Sequence, residues 1–245
     1  QAKTKSNAPI FHLKPSSTCF RPKMATLKIY GFGLSQPVRS VRLLLEATGV
    51  PYEYVYMDVM SGEHKQPEFL KLNPAGQLPA MVDANYGGFS MGEGAAILQH
   101  ICETRDLTDW YPKDPVHRCK VNYWLHWHHN NSRKFTTLIV VPFLFKKGAP
   151  TQQEEIEAGK KVAKDVVEFI EARLADVKTP YLTGDKPTIA DLLILCELDQ
   201  LPIFNLFEFT EYPQVTAWLD RLRGLKGYDV CLKGVLDTAS TGKIH

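Results

Sequence analysis

Apolar and polar residues alternate over residues 26–30, with Leu27 and Ile29 on one face, a period-two pattern that predicts a strand buried on one side. Past the Gly31-Phe32-Gly33 turn the period lengthens to that of a helix. Val41, Leu44, Leu45 and Thr48 form its apolar face, and Arg39, Arg42 and Glu46 are expected to face water. Gly49 supplies a left-handed stop, after which residues 52–58, rich in aromatic and β-branched side chains, read as a second strand. Strand, helix and strand within about 30 residues make a βαβ unit. A second unit follows: a short helix over 67–72, strand-like Ala80-Met81-Val82, a turn at 85–88, and Phe89-Ser90-Met91 returning as a hairpin before a helix over 94–102. The order βαβ then ββα predicts a small mixed four-stranded sheet lying between helices.

The strand pattern ends at residues 104–117, where Trp110-Tyr111-Pro112 and Asp114-Pro115 suit a connection rather than an element. Beyond it only helical spacing is found. Over 155–177, Ile156, Ala163, Val166, Val167, Ile170, Leu174 and Val177 share a face, with Glu157 and Lys161 expected to pair on the wet side. Residues 189–201 are apolar nearly all round, which predicts the buried central helix of an all-helical half. Its start, Thr188-Ile189-Ala190-Asp191, is a capping box with Asp in place of Glu: the hydroxyl accepts from the Asp191 N–H and the carboxylate reaches back to the Thr188 N–H. A final helix is expected to bury Val215, Trp218, Leu219, Leu222 and Leu225. The organisation expected is therefore a disordered tail at 1–23, an α/β domain at 24–104, a linker at 105–117 and an all-helical domain at 118–245.

Composition and charge narrow the function. A chain of 245 residues with ordinary globular composition is long enough to bury two modest cores. The net charge of +2 masks an asymmetry: residues 1–23 carry Lys3, Lys5, Lys14, Arg21 and Lys23 and no acid, which leaves the rest at −3. No basic stripe with interleaved aromatics is present, so a nucleic-acid partner is not expected. The longest charge-free apolar run, residues 135–145, contains Pro142 and falls well short of the roughly 20 residues that cross a bilayer, so no membrane association is expected. The five cysteines, Cys19, Cys102, Cys119, Cys196 and Cys231, are widely spaced without a CxxC pair, which suits a reducing, cytoplasmic setting and argues against zinc. His126, His128 and His129 diverge around a helix, so no metal site is expected there either. The basic tail leaves organellar targeting open as an alternative.

Candidate chemistry gathers where strands end and helices begin. Ser35 stands at the start of the first helix, with Pro37 in the first turn, where its missing amide costs nothing. The hydroxyl can cap the helix, or it can donate to a thiolate at the positive helix end and lower the thiol pKa from about 8.5. His64 and Lys65, an imidazole beside an ammonium, suit a carboxylate. Pro79 allows a cis bond after Leu78, and such a bond would let the preceding residue offer its N–H and C=O to an extended peptide, in the manner of an added strand. Glu93 and the first amides of the third helix can hold an amine and a carboxylate.

Four motifs occur in order: Leu34-Ser35-Gln36-Pro37-Val38-Arg39, Gly62-Glu63-His64-Lys65, Asn73-Pro74-Ala75-Gly76-Gln77-Leu78-Pro79-Ala80 and Met91-Gly92-Glu93-Gly94. Followed by the capping box in a helical half, they resemble serine-type glutathione transferases of the theta class, with phi-like features, over residues 24 to about 228. The resemblance implies an α/β plus all-α architecture: an N-terminal thioredoxin-like domain with a mixed four-stranded sheet that binds glutathione, and a C-terminal all-helical domain that supplies an electrophile pocket. It implies a homodimer that conjugates the glutathione thiolate to hydrophobic electrophiles, with glutathione as cosubstrate and no further cofactor. Ser35 is then catalytic. His64 and Lys65 take the glycyl carboxylate, Leu78 before Pro79 the cysteinyl backbone, and Glu93 and Gly94 the γ-glutamyl end. Asn130 and Arg133, three apart on one face, would reach the neighbouring subunit's glutathione and line the electrophile pocket.

Two positions depart from related patterns. Tyr30 lies one place away from the tyrosine that other classes of the family use, and is expected to be a strand residue. Gly94 stands where the family carries Ser or Thr, which implies weaker binding of the γ-glutamyl carboxylate unless Gln77 or a water compensates. A glutathione-dependent peroxidase, dehalogenase or isomerase on the same scaffold, or a non-catalytic transferase-like module, are the alternatives.

Overall fold

The computed structural model describes residues 26–244, so the expected tail at 1–23 and Cys19 lie outside the described residues. The first half runs β1 (Leu27–Gly31), α1 (Gln36–Thr48), β2 (Glu53–Tyr56), α2 (Pro67–Leu72), β3 (Ala80–Asp83), β4 (Phe89–Gly92) and α3 (Gly94–Thr104). Its strands form one sheet in the order β2-β1-β3-β4, with β1 parallel to β2 and antiparallel to β3, and β3 antiparallel to β4. Alternation along β1 sorts the layers. Leu27 and Ile29 are fully buried in the main core with Val41, Leu44 and Ile97, while Tyr30 meets Phe69 of α2, ring centroids 6.1 Å apart, in a smaller cluster. Gly49 ends α1 in the left-handed conformation, φ 72°, its N–H bonded to the Leu45 carbonyl.

The second half is helical: α4 (Pro115–Asn130), a short α5 (Arg133–Phe135) that continues through a π-helical turn (Thr136–Val140) into α6 (Val141–Phe145), then α7 (Gln152–Val177), α8 (Ile189–Leu198), α9 (Gln200–Ile203), α10 (Pro213–Arg223) and α11 (Tyr228–Thr241). Every residue of α8 is buried. The capping box forms. Asp191 Oδ2 accepts from the Thr188 N–H at 2.8 Å and from its hydroxyl at 2.9 Å, and Oδ1 accepts from the Leu182 N–H at 3.0 Å and Trp218 Nε1 at 2.9 Å. One carboxylate thus fastens the start of α8 to the preceding loop and to α10. Burial pushes its pKa up, against four donors that favour the charged form.

Several expectations are corrected. Arg39 does not face water: α1 is covered by the sheet on one side and by α8 on the other, and the buried guanidinium donates to the Cys196 carbonyl at 2.8 Å. The connection after α3 ends at Asp114, whose side chain caps α4 by accepting from the His117 N–H at 2.7 Å, with Pro115 at the first helical position. The stretch 189–201 is not one helix but α8 and α9, because Pro202 cannot donate to the Leu198 carbonyl and its ring crowds that position. Glu157 pairs with Lys160 at 3.0 Å, three residues away, rather than with Lys161. The helix holding Trp218 is not the last. In α11, Cys231, Leu232 and Val235 are buried, and the helix packs along α1. There a Cβ on Gly234 would stand 3.2 Å from the carbonyl carbon of Gly33, so the helix rests on the loop before Ser35.

No helix among the described residues is long and apolar enough to cross a membrane. Asp191→Ala leaves two amides and the Trp218 indole N–H without an acceptor in the core. It is expected to lower stability by about 3 kcal/mol or more, read as a fall in the urea midpoint. Ile189→Val on the same helix is expected to cost about 1 kcal/mol.

Candidate active site

Element ends from both halves enclose a cleft of about 430 Å³ whose lining runs from Phe32 and Ser35 through Val59, Gln77 and Glu93 to His129 and Arg133. Ser35 occupies the N-cap position of α1 in extended geometry, φ −67° and ψ 120°. Its N–H bonds to the Phe32 carbonyl at 3.0 Å and its carbonyl accepts from the Arg39 N–H at 2.9 Å. The side chain makes no capping hydrogen bond. The hydroxyl is therefore not spent on the helix, and it stands at the positive end of α1 on the cleft wall.

His64 and Lys65 lie in a one-turn helix after β2 and both line the cleft. His64 Nδ1 is buried without a partner, while Lys65 Nζ donates to the Gly76 carbonyl at 2.6 Å and holds the following loop in place. In that loop the Gln77 carbonyl accepts from Asn73 Nδ2 at 2.8 Å, and the Leu78-Pro79 peptide is cis. Strand pairing begins only at Ala80, so the Leu78 main chain lies outside the ladder at the cleft edge.

Glu93 adopts φ 70° and ψ 106°, a conformation that costs a non-glycine residue about 1–3 kcal/mol. It presents an exposed carboxylate to the cleft immediately before α3. Gly94 is buried, and a Cβ there would stand 2.8 Å from Pro37 Cβ. The missing hydroxyl thus has a packing counterpart: α3 begins so close to α1 that a serine side chain would have to displace the proline ring. Tyr30 is directed to the α2 side of the sheet, away from the cleft.

Arg133 and Asn130 do not share a helix face. α4 ends at Asn130, Asn131 breaks the helix at φ −125° and ψ −91°, and Arg133 belongs to α5. Asn130 is exposed and is not among the cleft residues, whereas Arg133 is. The three histidines diverge as expected of their spacing. His126 is exposed, His129 lines the cleft with its pKa lowered chiefly by burial, and His128 is buried with Nε2 donating to Glu197 Oε1 at 3.0 Å.

Behind the cleft stands a group that the sequence reading missed. Glu197, on the apolar α8, also accepts from Arg133 Nη1 at 3.0 Å and from the Thr136 hydroxyl at 2.5 Å, and Arg133 Nη1 donates to Gln36 Oε1 at 2.9 Å. A second acid, beyond the capping Asp191, in an otherwise apolar helix was the available signal. Also missed was an adjoining apolar cavity of about 730 Å³, lined by Met60, Phe143, Ile156, Phe204, Thr238 and Ile244. It meets the cleft at one loop, where Val59 faces the cleft and Met60 faces the cavity.

This geometry, a thioredoxin-like domain whose helix starts converge on a cleft closed by a helical half, defines the glutathione-transferase type of protein. The description "Glutathione S-transferase, N-terminal domain" matches residues 25–103 and "Glutathione S-transferase, C-terminal domain" matches residues 134–226. Mouse glutathione S-transferase theta-2 is 31% identical over 214 residues, 84% of each chain, and the probable glutathione S-transferase GSTF2 of rice is 35% identical over 80% of this chain and 90% of its own. The crystal structure of human glutathione transferase theta-2 in complex with glutathione superposes with a TM-score of 0.76 at 28% identity, covering 89% of this chain and 92% of that one. The chain belongs to the glutathione S-transferase family, and its similarity runs to the theta class. These likenesses do not favour the peroxidase, dehalogenase, isomerase or non-catalytic alternatives.

Two outcomes test the electrostatics and strain. Burial alone would raise the Glu197 pKa, but His128, Arg133 and Thr136 hold it below the ordinary 4.5. The stability this contributes is present above that ordinary value and is lost as pH falls through the lowered folded value. The gap in melting temperature between wild type and Glu197→Gln should therefore be widest near pH 7 and narrow below about pH 4. Glu93→Gly removes the positive-φ strain and a carboxylate together. It is expected to stabilise the fold by about 1 kcal/mol in urea denaturation while raising the KM for glutathione.

Proposed function

We propose that the cleft binds glutathione in extended form and that Ser35 donates a hydrogen bond to its sulfur, favouring the thiolate. The observation that carries this reading is the Ser35 hydroxyl, free of any capping bond at the positive end of α1. His64 and Lys65 take the glycyl carboxylate. The lysine keeps donors to spare after its bond to Gly76, and His64 lines the same stretch of the cleft. Leu78, before cis Pro79, pairs its main chain with the cysteinyl unit as an added strand. Glu93 meets the γ-glutamyl amine and the amides from Gly94 meet the γ-glutamyl carboxylate, with Gln77 beside them.

With the thiol proton gone to solvent, the sulfur lone pair attacks an electrophilic carbon of the second substrate and the leaving group departs with its electron pair. Activation and positioning of the cosubstrate nucleophile account for the rate. Arg133 borders this electrophile on the helical side, and the adjoining apolar cavity receives its hydrophobic part. Asn130, exposed at the end of α4, has no part in the cleft of its own chain. The organisation that goes with this reading is a glutathione-binding domain from residue 24 through α3 and an electrophile-binding domain from α4 onward.

A homodimer is the assembly that fits. Between α4 and α7 an apolar groove of about 830 Å³ is bordered by Val116, Tyr123 and Phe169, which are 66%, 52% and 42% exposed, an unusual load of open apolar surface for a free helix pair. A cytoplasmic setting agrees with Cys102, Cys119, Cys196 and Cys231 all being free thiols.

The experiment is conjugation kinetics together with ultraviolet absorbance of the bound thiolate against pH. Ser35→Ala is expected to raise the pKa of bound glutathione by about 1–2 units and to lower kcat at neutral pH by about 10-fold or more. Tyr30→Phe is expected to leave both unchanged. A variant without Ser35 that keeps the wild-type thiolate would refute the assignment.

A further inference from the structure

Gln36, the residue after Ser35, is buried in the first turn of α1 and uses both ends of its amide across the boundary between the two halves of the chain. Its Nε2 donates to Gln200 Oε1 at 2.5 Å, and its Oε1 accepts from Arg133 Nη1 at 2.9 Å. Gln200 Nε2 donates in turn to the Thr136 hydroxyl at 2.8 Å, which donates to Glu197 Oε2 at 2.5 Å, and Arg133 Nη1 closes the circuit on Glu197 Oε1 at 3.0 Å. Five side chains make one ring.

The ring has only one polarity. A guanidinium can only donate and a carboxylate can only accept. Arg133 therefore fixes the Gln36 oxygen toward itself, which turns the Gln36 NH2 to the Gln200 oxygen, the Gln200 NH2 to Thr136 and the threonine proton to Glu197. Neither amide can flip without setting like poles against each other. Such a ring specifies one orientation and one depth for the start of α1, and reversing a single member leaves a buried polar atom unpaired.

We infer that Gln36 is a positioning residue, which through this ring fixes Ser35 relative to Arg133 and the helical half so that the serine hydroxyl meets the glutathione sulfur. The inference rests on the reading of Ser35 as the thiolate donor. Gln36 itself is buried and is not among the residues that line the cleft. Glu197 and His128 anchor the far side of the ring from α8 and α4, and the other titratable or charged groups facing the cleft are His64, Lys65, Glu93, His129 and Arg133.

The test is a cycle of four proteins, wild type, Ser35→Ala, Gln36→Met and the double variant, in which the pKa of bound glutathione is followed by thiolate absorbance and glutathione affinity is measured alongside. Methionine keeps the length and burial of the side chain but cannot join the ring. Gln36→Met is expected to raise the bound thiol pKa by about one unit, a tenfold fall in the thiolate-to-thiol ratio, with little change in affinity. In the Ser35→Ala background it is expected to add no shift, because it acts only through the hydroxyl. Thr136→Val opens the ring at its far side without touching α1 and is expected to move the thiol in the same direction by less. If Ser35→Ala raises the pKa but neither ring variant does, or if the Gln36 and Ser35 effects simply add, the inference is overturned while the site reading stands. If Ser35→Ala moves nothing, the site reading itself fails.

Discussion

A carboxylate on the most thoroughly buried helix of a protein is costly by several kcal/mol unless its neighbours restore what water gave it. Glu197 meets that condition with His128, Arg133 and Thr136, each from a different stretch of the helical half. Because Arg133 also reaches Gln36, the same group clamps the start of α1. Buried Arg39 adds a second tie from α1 to α8. Helix α1 is thus held between the sheet and the helical half, and the residue placed at its tip inherits that rigidity. Polar contacts, rather than apolar area alone, set the relation of the two halves at the point where the chemistry is proposed.

The cleft is assembled from ends. The start of α1, the start of α3 and the unpaired main chain before β3 converge there, so donors and positive helix ends crowd one side, with Glu93 as the counterweight. An elongated ligand with a carboxylate at each end, a peptide middle and one amine matches that distribution. The strained geometry of Glu93 and the contact between Gly94 and Pro37 belong to the same economy of space: α3 must start close beside α1 for both helix ends to face one ligand.

Much of this was legible in the sequence, and the boundary is a physical one. The alternation in β1, the stop at Gly49 and the capping box at Thr188 and Asp191 are local, and each was read from a handful of neighbouring residues, whereas the cis state of Leu78-Pro79 went with the family resemblance. Arg39, Gln36 and Glu197 were not, because their partners lie 157, 97 and 64 residues away in the chain and only the packed fold brings them together. Asn130 and Arg133 were placed together by helical spacing that the break at Asn131 cancels. The division at Pro202 was readable in principle, since proline forbids the bond to Leu198, but the apolar run on both sides hid it.

The seat of α11 on the loop before Ser35 has a consequence in time. Gly33 emerges from the ribosome early and Gly234 late, and at about 5–20 residues per second the interval is about 10–40 s. For that period the sheet, α2 and α3 can assemble around an α1 that still lacks the support of α11 beside the loop before Ser35. The half that carries most of the proposed glutathione contacts is therefore complete in sequence long before it is complete in structure, and a helix made much later in synthesis is the one that closes the back of the first.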